Sequence, residues 1–530
     1  MGFTPDNRCD ILSSNESDEA SPGAVRIDGT TLSVDRVVSV ARRGVAVEMP
    51  PEVRARMAEC RESLEKLLAE GLPVYAVNTG VGDLLDVRIP EEDLRALQVN
   101  LIRSHACGVG PPLPAEVVRA MMLLRANALA KGYSAVRPEL VELLVSMLNS
   151  RVHPVVPRQG SVGASGDLAL LAHVALVMIG EGTAASDEGK RPGGDALADA
   201  GLEAVKLRPK EAISLINGTQ AMTAVGCLAV EDSANLVDIS QIAAAMSLEA
   251  LKGTSAAFDE CISRVRPHKG QAAVAGNMQA LVRDSQIMIS HKHCTKVQDA
   301  YTLRCVPQVI GATLDAVWHA TGVLGIEINS ATDNPLYFMD EAKVVSGGNF
   351  HGQPVALAMD YLGLAIHELG AFSERRLYRL LDYKLSGLPP FLTRHGGLSS
   401  GMMMPQYVAA SIVSENKVLV HPASADSIPT SAGQEDHNSM GMTAAWKARH
   451  IVENTTRLIA IELLAAAQGL DFVSLSSSPP IESVRELIRS KVPRLDEDRP
   501  LTEDIDTIAR MISEGVIVDS VEAACDFHRA

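Results

Sequence analysis

Apolar residues recur at helical spacing along most of the chain, and the segments they predict lengthen toward its C-terminal half. Residues 31–44, TLSVDRVVSVARRG, carry such a face and stop at Gly44, a residue suited to the left-handed turn that ends a helix. Amphipathic patterns follow at 52–71, 91–105, 115–132 and 138–152, and an almost wholly apolar one at 167–182. The polar run EGTAASDEGKRPGGD at 181–195 interrupts the series and predicts a small surface loop or hairpin. Beyond about residue 208 the scale changes. The stretches 220–251, 354–382 and 442–470 each run well past the usual three or four helical turns. Such lengths predict parallel packing into a bundle, and the broad Ala/Leu surfaces predict burial between subunits as well. The expected fold is mainly α: a disordered tail at 1–24, a smaller, mostly helical N-terminal domain at 25–207 and a long-helix bundle domain at 208–530.

Composition narrows the possibilities. Of 530 residues, 46% are hydrophobic and 21% charged, which suits a folded soluble protein. Aromatics reach only 3%, so the core falls to Ala, Leu, Val, Ile and Met, and three of these favour helices. A formal charge of −17 argues against a nucleic-acid partner. The eight cysteines are scattered with no C-x-x-C pair, which reads as reduced thiols in a cytoplasmic protein. No signal-like opening and no 18-residue apolar run is seen, so no membrane is expected as a partner. The HKHC run at 291–294 crowds its ligands and has no distant partner pair, so no metal site is expected.

One segment departs from the helical pattern. RQGSVGASGDLALLAH at 158–173 is stripped of side chains between Gly160 and Asp167, then turns into an apolar helix. Its glycines at 160, 163 and 166 match neither G-x-x-x-x-G-K-[ST] nor G-x-G-x-x-G. Gly163-Ala164-Ser165-Gly166 is one residue short of the nucleophile elbow G-x-S-x-G. On its own the loop reads as a flexible turn before a helix, with Asp167 favourable to the helix dipole.

The wider sequence resembles the aromatic amino-acid ammonia-lyases and aminomutases, and most closely their histidine-specific members. GSVGASGDLALLAH is similar to that family's signature, and further blocks match in family order. These are PVYAVNTGVGDL (73–84), NLIRSHACGVG (100–110), LINGTQAMT (215–223), KVQDAYTLRCVPQVIGA (296–312), TDNPL (332–336), SGGNFHGQP (346–354) and PASADSIPTSAGQEDHNSM (422–440). The resemblance implies the helical fold of the fumarase/aspartase-like superfamily and a prosthetic group made from the chain. In it, Ala164-Ser165-Gly166 closes into 4-methylidene-imidazol-5-one with no external cofactor. The Gly166 nitrogen attacks the Ala164 carbonyl, whose oxygen leaves as water, and Ser165 loses its hydroxyl as a second water. Small residues suit so tight a ring, and glycines supply the backbone it needs.

The same resemblance implies roles for single residues. Tyr75, on a mobile inner loop with Gly80 and Gly82, would act as base; a phenol of ordinary pKa about 10 needs activation to do so. Asn217 would contact the prosthetic group and the substrate amine. Tyr301 and Arg304 share a helical face, and Arg304 would receive the substrate carboxylate in bidentate fashion. Gln298 would add a polar contact one turn upstream, and Phe350 would pack against the prosthetic group. His105 and Glu435 would select the substrate side chain, with Gln434 beside them. A carboxylate at 435 suits an imidazole and not an apolar phenyl ring. Taken without the resemblance, Tyr75 and Phe350 read as packed core residues, His105 as a hydrogen-bonded structural histidine and Arg304 as a surface arginine, although its neighbours Leu303, Cys305 and Val306 argue for its partial burial.

The implied activity is non-oxidative elimination of ammonia from L-histidine to trans-urocanate, in a homotetramer whose active sites draw on several subunits. The alternatives are a 2,3-aminomutase or a lyase acting on tyrosine or phenylalanine, and an inactive helical homologue. Three positions depart from the family pattern: Val81 where Phe is usual, Leu170 where Pro is usual, and Asn438 where Val is common. None belongs to the cyclising tripeptide, so they bear on substrate more than on reaction class.

Overall fold

In the computed structural model the described residues are 23–70, 74, 77–80, 82, 86–186, 189–291 and 297–530. The expected tail at 1–24 lies almost wholly outside them. Helices dominate, and strands are confined to short two- and three-stranded sheets.

Four long helices form the bundle: Gln220–Ala250, Val306–Glu327, Gln353–Leu381 and Gly441–Leu470. Three of these match the expected long helices closely. The fourth lies partly under the block KVQDAYTLRCVPQVIGA and starts with Pro307 in its first turn, where a missing N–H does no harm. The Gln220 helix is buried almost all round, which explains why its Ala/Val/Ile/Leu content shows no clean polar face. Glycines set the closest approaches. A Cβ at Gly270 would sit 2.1 Å from Gly311 O, and one at Gly363 would meet Ile451 and Ala448 of the Gly441 helix.

A buried polar knot fixes the register of three helices. Glu462 accepts from Arg376 Nη2 at 2.7 Å, from Ser247 Oγ at 2.7 Å and from Ser373 Oγ at 2.6 Å. Arg376 and Glu462 are both completely buried, so each depends on the other for its charge. The Val306 and Gln353 helices are also long and apolar enough, by length and composition, to cross a membrane, which the sequence reading did not expect. About half of each apolar stretch packs inside the bundle, as in core helices of folded proteins.

The N-terminal part builds on the same core, which runs without a break from Val25 to Phe527. Its helices at Pro51–Ala69, Leu94–His105, Ala115–Ala130, Pro138–Asn149 and Leu168–Met178 follow the predicted patterns. The 31–44 pattern resolves into an α-helix, Val34–Val38, continued by a π-turn over Ser39–Arg43 and ended by Gly44 at φ 68°. The predicted excursion at 181–195 is a hairpin of Thr183–Ser186 and Gly189–Pro192. Val109–Pro112 pairs antiparallel with Pro157–Gln159 and so ties the segment after His105 to the one before the Gly-rich loop.

Candidate active site

The Gly-rich loop is clamped between two helix starts. Asp167 N donates to Gly218 O at 2.7 Å, and Gly166 bridges Gly218 just ahead of the Gln220 helix. On the other side Met440 N donates to Val162 O at 2.9 Å and Ser439 Oγ donates to Gly163 O at 3.1 Å, just ahead of the Gly441 helix. The Leu168 helix begins directly after the loop, so three helix N-termini with their partial positive charge meet here. Gly163 and Gly166 both have left-handed backbones, at φ 68° and 78°. A Cβ would lie 2.1 Å from Ser439 Oγ at the first and 2.1 Å from Gly218 O at the second.

Asp167 locks the arrangement. Its Oδ2 accepts from Ala221 N at 2.8 Å and Met222 N at 2.9 Å, capping the Gln220 helix from a distant part of the chain. Its Oδ1 accepts from Ser161 Oγ at 2.6 Å. Complete burial pushes this carboxyl up to about 6 even though the Ser161 hydroxyl, the two amides and the charge of Arg125 pull the other way. Arg125 is equally buried; loss of water brings its guanidinium down to about 10, against the attraction of Asp333 and Asp167. It donates to Ser214 O at 2.8 Å and Asn217 O at 2.7 Å, which holds the turn that carries Asn217.

Above the loop lies a cavity of about 640 Å³. Ala164, Ser165, His105, Asn217, Phe350, Gln434 and Glu435 all line it, with Gly166 immediately behind. Asn217 Nδ2 donates to Ser165 O at 2.7 Å, while its buried Oδ1 has no hydrogen-bond partner among the described residues. Ser165 Oγ donates to Glu435 Oε1 at 2.7 Å. His105 Nδ1 lies 2.8 Å from Leu101 O, which assigns the proton to Nδ1 and leaves Nε2 as an acceptor. Burial lowers the His105 pKa, offset in part by the Leu101 carbonyl and the charge of Glu435, so the ring favours its neutral form.

Three expected residues lie elsewhere. Gln298 lines a separate small cavity with Leu251 and Arg379. Tyr301 is 69% exposed, and the Arg304 guanidinium stacks 4.7 Å from its ring centroid. The expectation that Tyr301 and Arg304 share a face and that Arg304 is partly buried agrees with this geometry, but within one chain they do not reach the cavity. Tyr75 and Val81 lie outside the described residues, as do His293 and Cys294 of HKHC. Among the described residues no group of three or more His, Cys, Asp or Glu is arranged to hold a metal.

The cavity also contains residues that sequence reasoning did not single out. His351 and His437 stack face to face, 5.8 Å between centroids with planes 2° apart. Outside the cavity lining, Ser161 and Thr430 reach the carboxylates of Asp167 and Glu435. Both histidines stand inside quoted blocks, NFHGQP and QEDH, but their pairing depends on a contact across 86 residues. Thr430 had one usable signal, a hydroxyl at the start of the Gly-containing turn before Glu435.

The sequence model of the aromatic amino acid lyases matches residues 32–490. A histidine ammonia-lyase of Caldanaerobacter subterraneus subsp. tengcongensis is 52% identical over 494 residues, covering 93% of this chain and 97% of its own. The crystal structure of histidine ammonia-lyase from Trypanosoma cruzi superposes with a TM-score of 0.88 at 43% identity, covering 95% and 96% of the two chains. Tyrosine aminomutase from Streptomyces globisporus superposes at 0.91 with 38% identity, covering 96% and 100%. With its tripeptide loop, its cavity and a family match over most of its length, the chain belongs to the aromatic amino acid lyase family.

Proposed function

We propose that this chain eliminates ammonia from L-histidine to give trans-urocanate, with 4-methylidene-imidazol-5-one formed from Ala164, Ser165 and Gly166 as its prosthetic group. The observation that carries the reading is the meeting of the tripeptide, an unused Asn217 oxygen, His105 and Glu435 in one cavity. The histidine ammonia-lyases among its relatives support the same substrate.

The residues present fit such a group. Gly166 has no room for a side chain, and the Ser165 carbonyl and hydroxyl are each held by a named partner. Once formed, the group supplies an electron-accepting carbon that makes ammonia a better leaving group.

The chain's own residues then divide the remaining work. Asn217 Nδ2 keeps its hold on the residue 165 carbonyl while Oδ1 accepts from the substrate ammonium. His105 Nε2 and Glu435, both acceptors, take the two N–H groups of the substrate ring in its imidazolium form, a pairing that leaves no buried polar group unmatched. Phe350 packs against the loop, and Gln434 lines the wall beside Glu435. Tyr75 removes the β-proton, whose low acidity makes preorganised electrostatics the main source of acceleration.

Arg304 receives the substrate carboxylate, with Gln298 and Tyr301 beside it. Since these three lie apart from the cavity in one chain, the proposal includes a homotetramer in which another copy supplies them. Exposed apolar residues on the long helices, such as Ile326, Leu357 and Tyr361, support such an assembly. The six described cysteines, all unpaired, support a cytoplasmic location.

A 2,3-aminomutase is the second reading, favoured by the close superposition with tyrosine aminomutase. Incubating the purified protein with L-histidine, L-tyrosine and L-phenylalanine separates the readings. Urocanate and ammonia from histidine, with far slower turnover of the other two, support the first, and a β-amino acid without net ammonia supports the second. An intact mass that is not lower by two waters would support an inactive homologue.

A further inference from the structure

Glu435 is held at both carboxylate oxygens. Ser165 Oγ donates to Oε1 at 2.7 Å, and Thr430 Oγ1 donates to Oε2 at 2.6 Å. The two hydroxyls have different fates. When the tripeptide matures, Ser165 gives up its hydroxyl as water, whereas Thr430 keeps its own. Oε1 is then the oxygen open to a substrate and Oε2 the one still held by the protein. We propose that Thr430 is a positioning residue for Glu435: its hydroxyl fixes the carboxylate so that Oε1 faces the substrate imidazole. The inference rests on the reading above, in which Glu435 recognises that ring.

The local backbone explains why a hydroxyl is needed here. Thr430 N donates to Glu435 O at 3.0 Å and Glu435 N donates to Thr430 O at 3.3 Å, closing a tight turn. Between them Ser431, Ala432 and Gly433 all have left-handed backbones, at φ 52°, 54° and 90°. Two of these are not glycine, and each such residue costs roughly 1–2 kcal/mol. Residues 431–434 are exposed, so packing does not hold the turn in shape. The backbone bridge sets where Glu435 starts, but three side-chain torsions still separate its Cα from the carboxylate. The Thr430 hydroxyl removes that freedom at the far end, as a supporting contact must if the recognising group is to be preorganised.

Gly82 bounds the turn on its outer side. A Cβ there would lie 2.6 Å from Ser431 Oγ, so Gly82 stands close to the turn that carries Glu435.

The test compares Thr430→Val, Thr430→Ser and Glu435→Gln chains with the unmodified protein. Val keeps the branched shape of Thr and loses only the hydroxyl, and Ser restores the hydroxyl without the methyl group. Intact mass reports maturation, and steady-state kinetics are run on histidine and on phenylalanine as a side substrate. We expect all three variants to show the full mass loss of two waters. Thr430→Val should lower kcat/KM for histidine about tenfold through both KM and kcat, leave residual phenylalanine turnover unchanged, and be rescued by Thr430→Ser.

Undiminished histidine turnover in Thr430→Val, with Glu435→Gln impaired, would overturn the role of Thr430 and leave the substrate reading standing. Equal losses on histidine and phenylalanine, or failure of the Val variant to lose water, would also overturn it, because the hydroxyl would then serve the fold or the loop. Undiminished histidine turnover in Glu435→Gln would overturn the substrate reading and this inference with it.

Discussion

Ser165 Oγ lies 2.7 Å from Glu435 Oε1, across 270 residues of chain. The residue expected to be consumed in making the electrophile and the residue expected to choose the substrate are thus hydrogen-bonded to each other. Replacing Ser165 by Ala removes one hydrogen bond and one oxygen that the reaction needs. The variant should keep the full mass of its sequence, lose turnover by about a thousandfold or more, and unfold within about 1.5 kcal/mol of the parent. Mass spectrometry, a product assay and urea denaturation check the three parts; a fully active Ser165→Ala chain would contradict the assignment.

Gly166→Ala tests the loop geometry. The residue combines a left-handed backbone with a hypothetical Cβ 2.1 Å from Gly218 O, so the loop must move to accept even a methyl group. We expect destabilisation of about 2–4 kcal/mol and loss of the dehydrated species. Gly433→Ala, also left-handed but with open space around its Cβ, should cost only about 1 kcal/mol and serves as the control.

Asp167 gives the fold a pH dependence of predictable sign. Burial raises its folded pKa from 3.8 to about 6, so between those values the folded state holds a proton that the unfolded state has released. The associated stability is present below about pH 4 and is lost as pH rises through about 6. Asp167→Asn cannot titrate. Across that window the parent should lose on the order of 2–3 kcal/mol relative to the variant. Urea midpoints at pH 4, 5, 6 and 7 measure this, and parallel profiles for the two proteins would contradict it.

Removing one partner of the buried bundle pair should be costly. Glu462→Ala leaves Arg376 charged and fully buried, and also strips acceptors from Ser247 and Ser373. A loss of about 3–5 kcal/mol is expected by chemical denaturation. A loss below about 1 kcal/mol would mean that other groups, or water, carry that charge.

The long helices were legible because period and length survive in the sequence even where no polar face does. The Gly441–Leu470 helix begins within one residue of its predicted start at 442. The Val306–Glu327 helix was not singled out, because its first two turns, 306–312, lie in a block read for its motif. Within the site, the tripeptide, Asn217, His105 and Glu435 were legible only through their resemblance to family blocks, since alone the loop reads as a turn, and the fold brings all four around one cavity. Gln298, Tyr301 and Arg304 read as site residues from their block, yet one chain does not bring them there. Whether a side chain serves its own chain's cavity is fixed by the fold, and no spacing in the sequence carries it. Thr430 was missed for a related reason: a hydroxyl that steadies another side chain leaves no spacing rule behind.

Product analysis with L-histidine tests the central claim most directly. Purified protein whose intact mass is lower by two waters should convert L-histidine to trans-urocanate and ammonia in equal amounts, with little turnover of tyrosine or phenylalanine. Matured protein that forms no urocanate from histidine, or that yields a β-amino acid without ammonia, would contradict it.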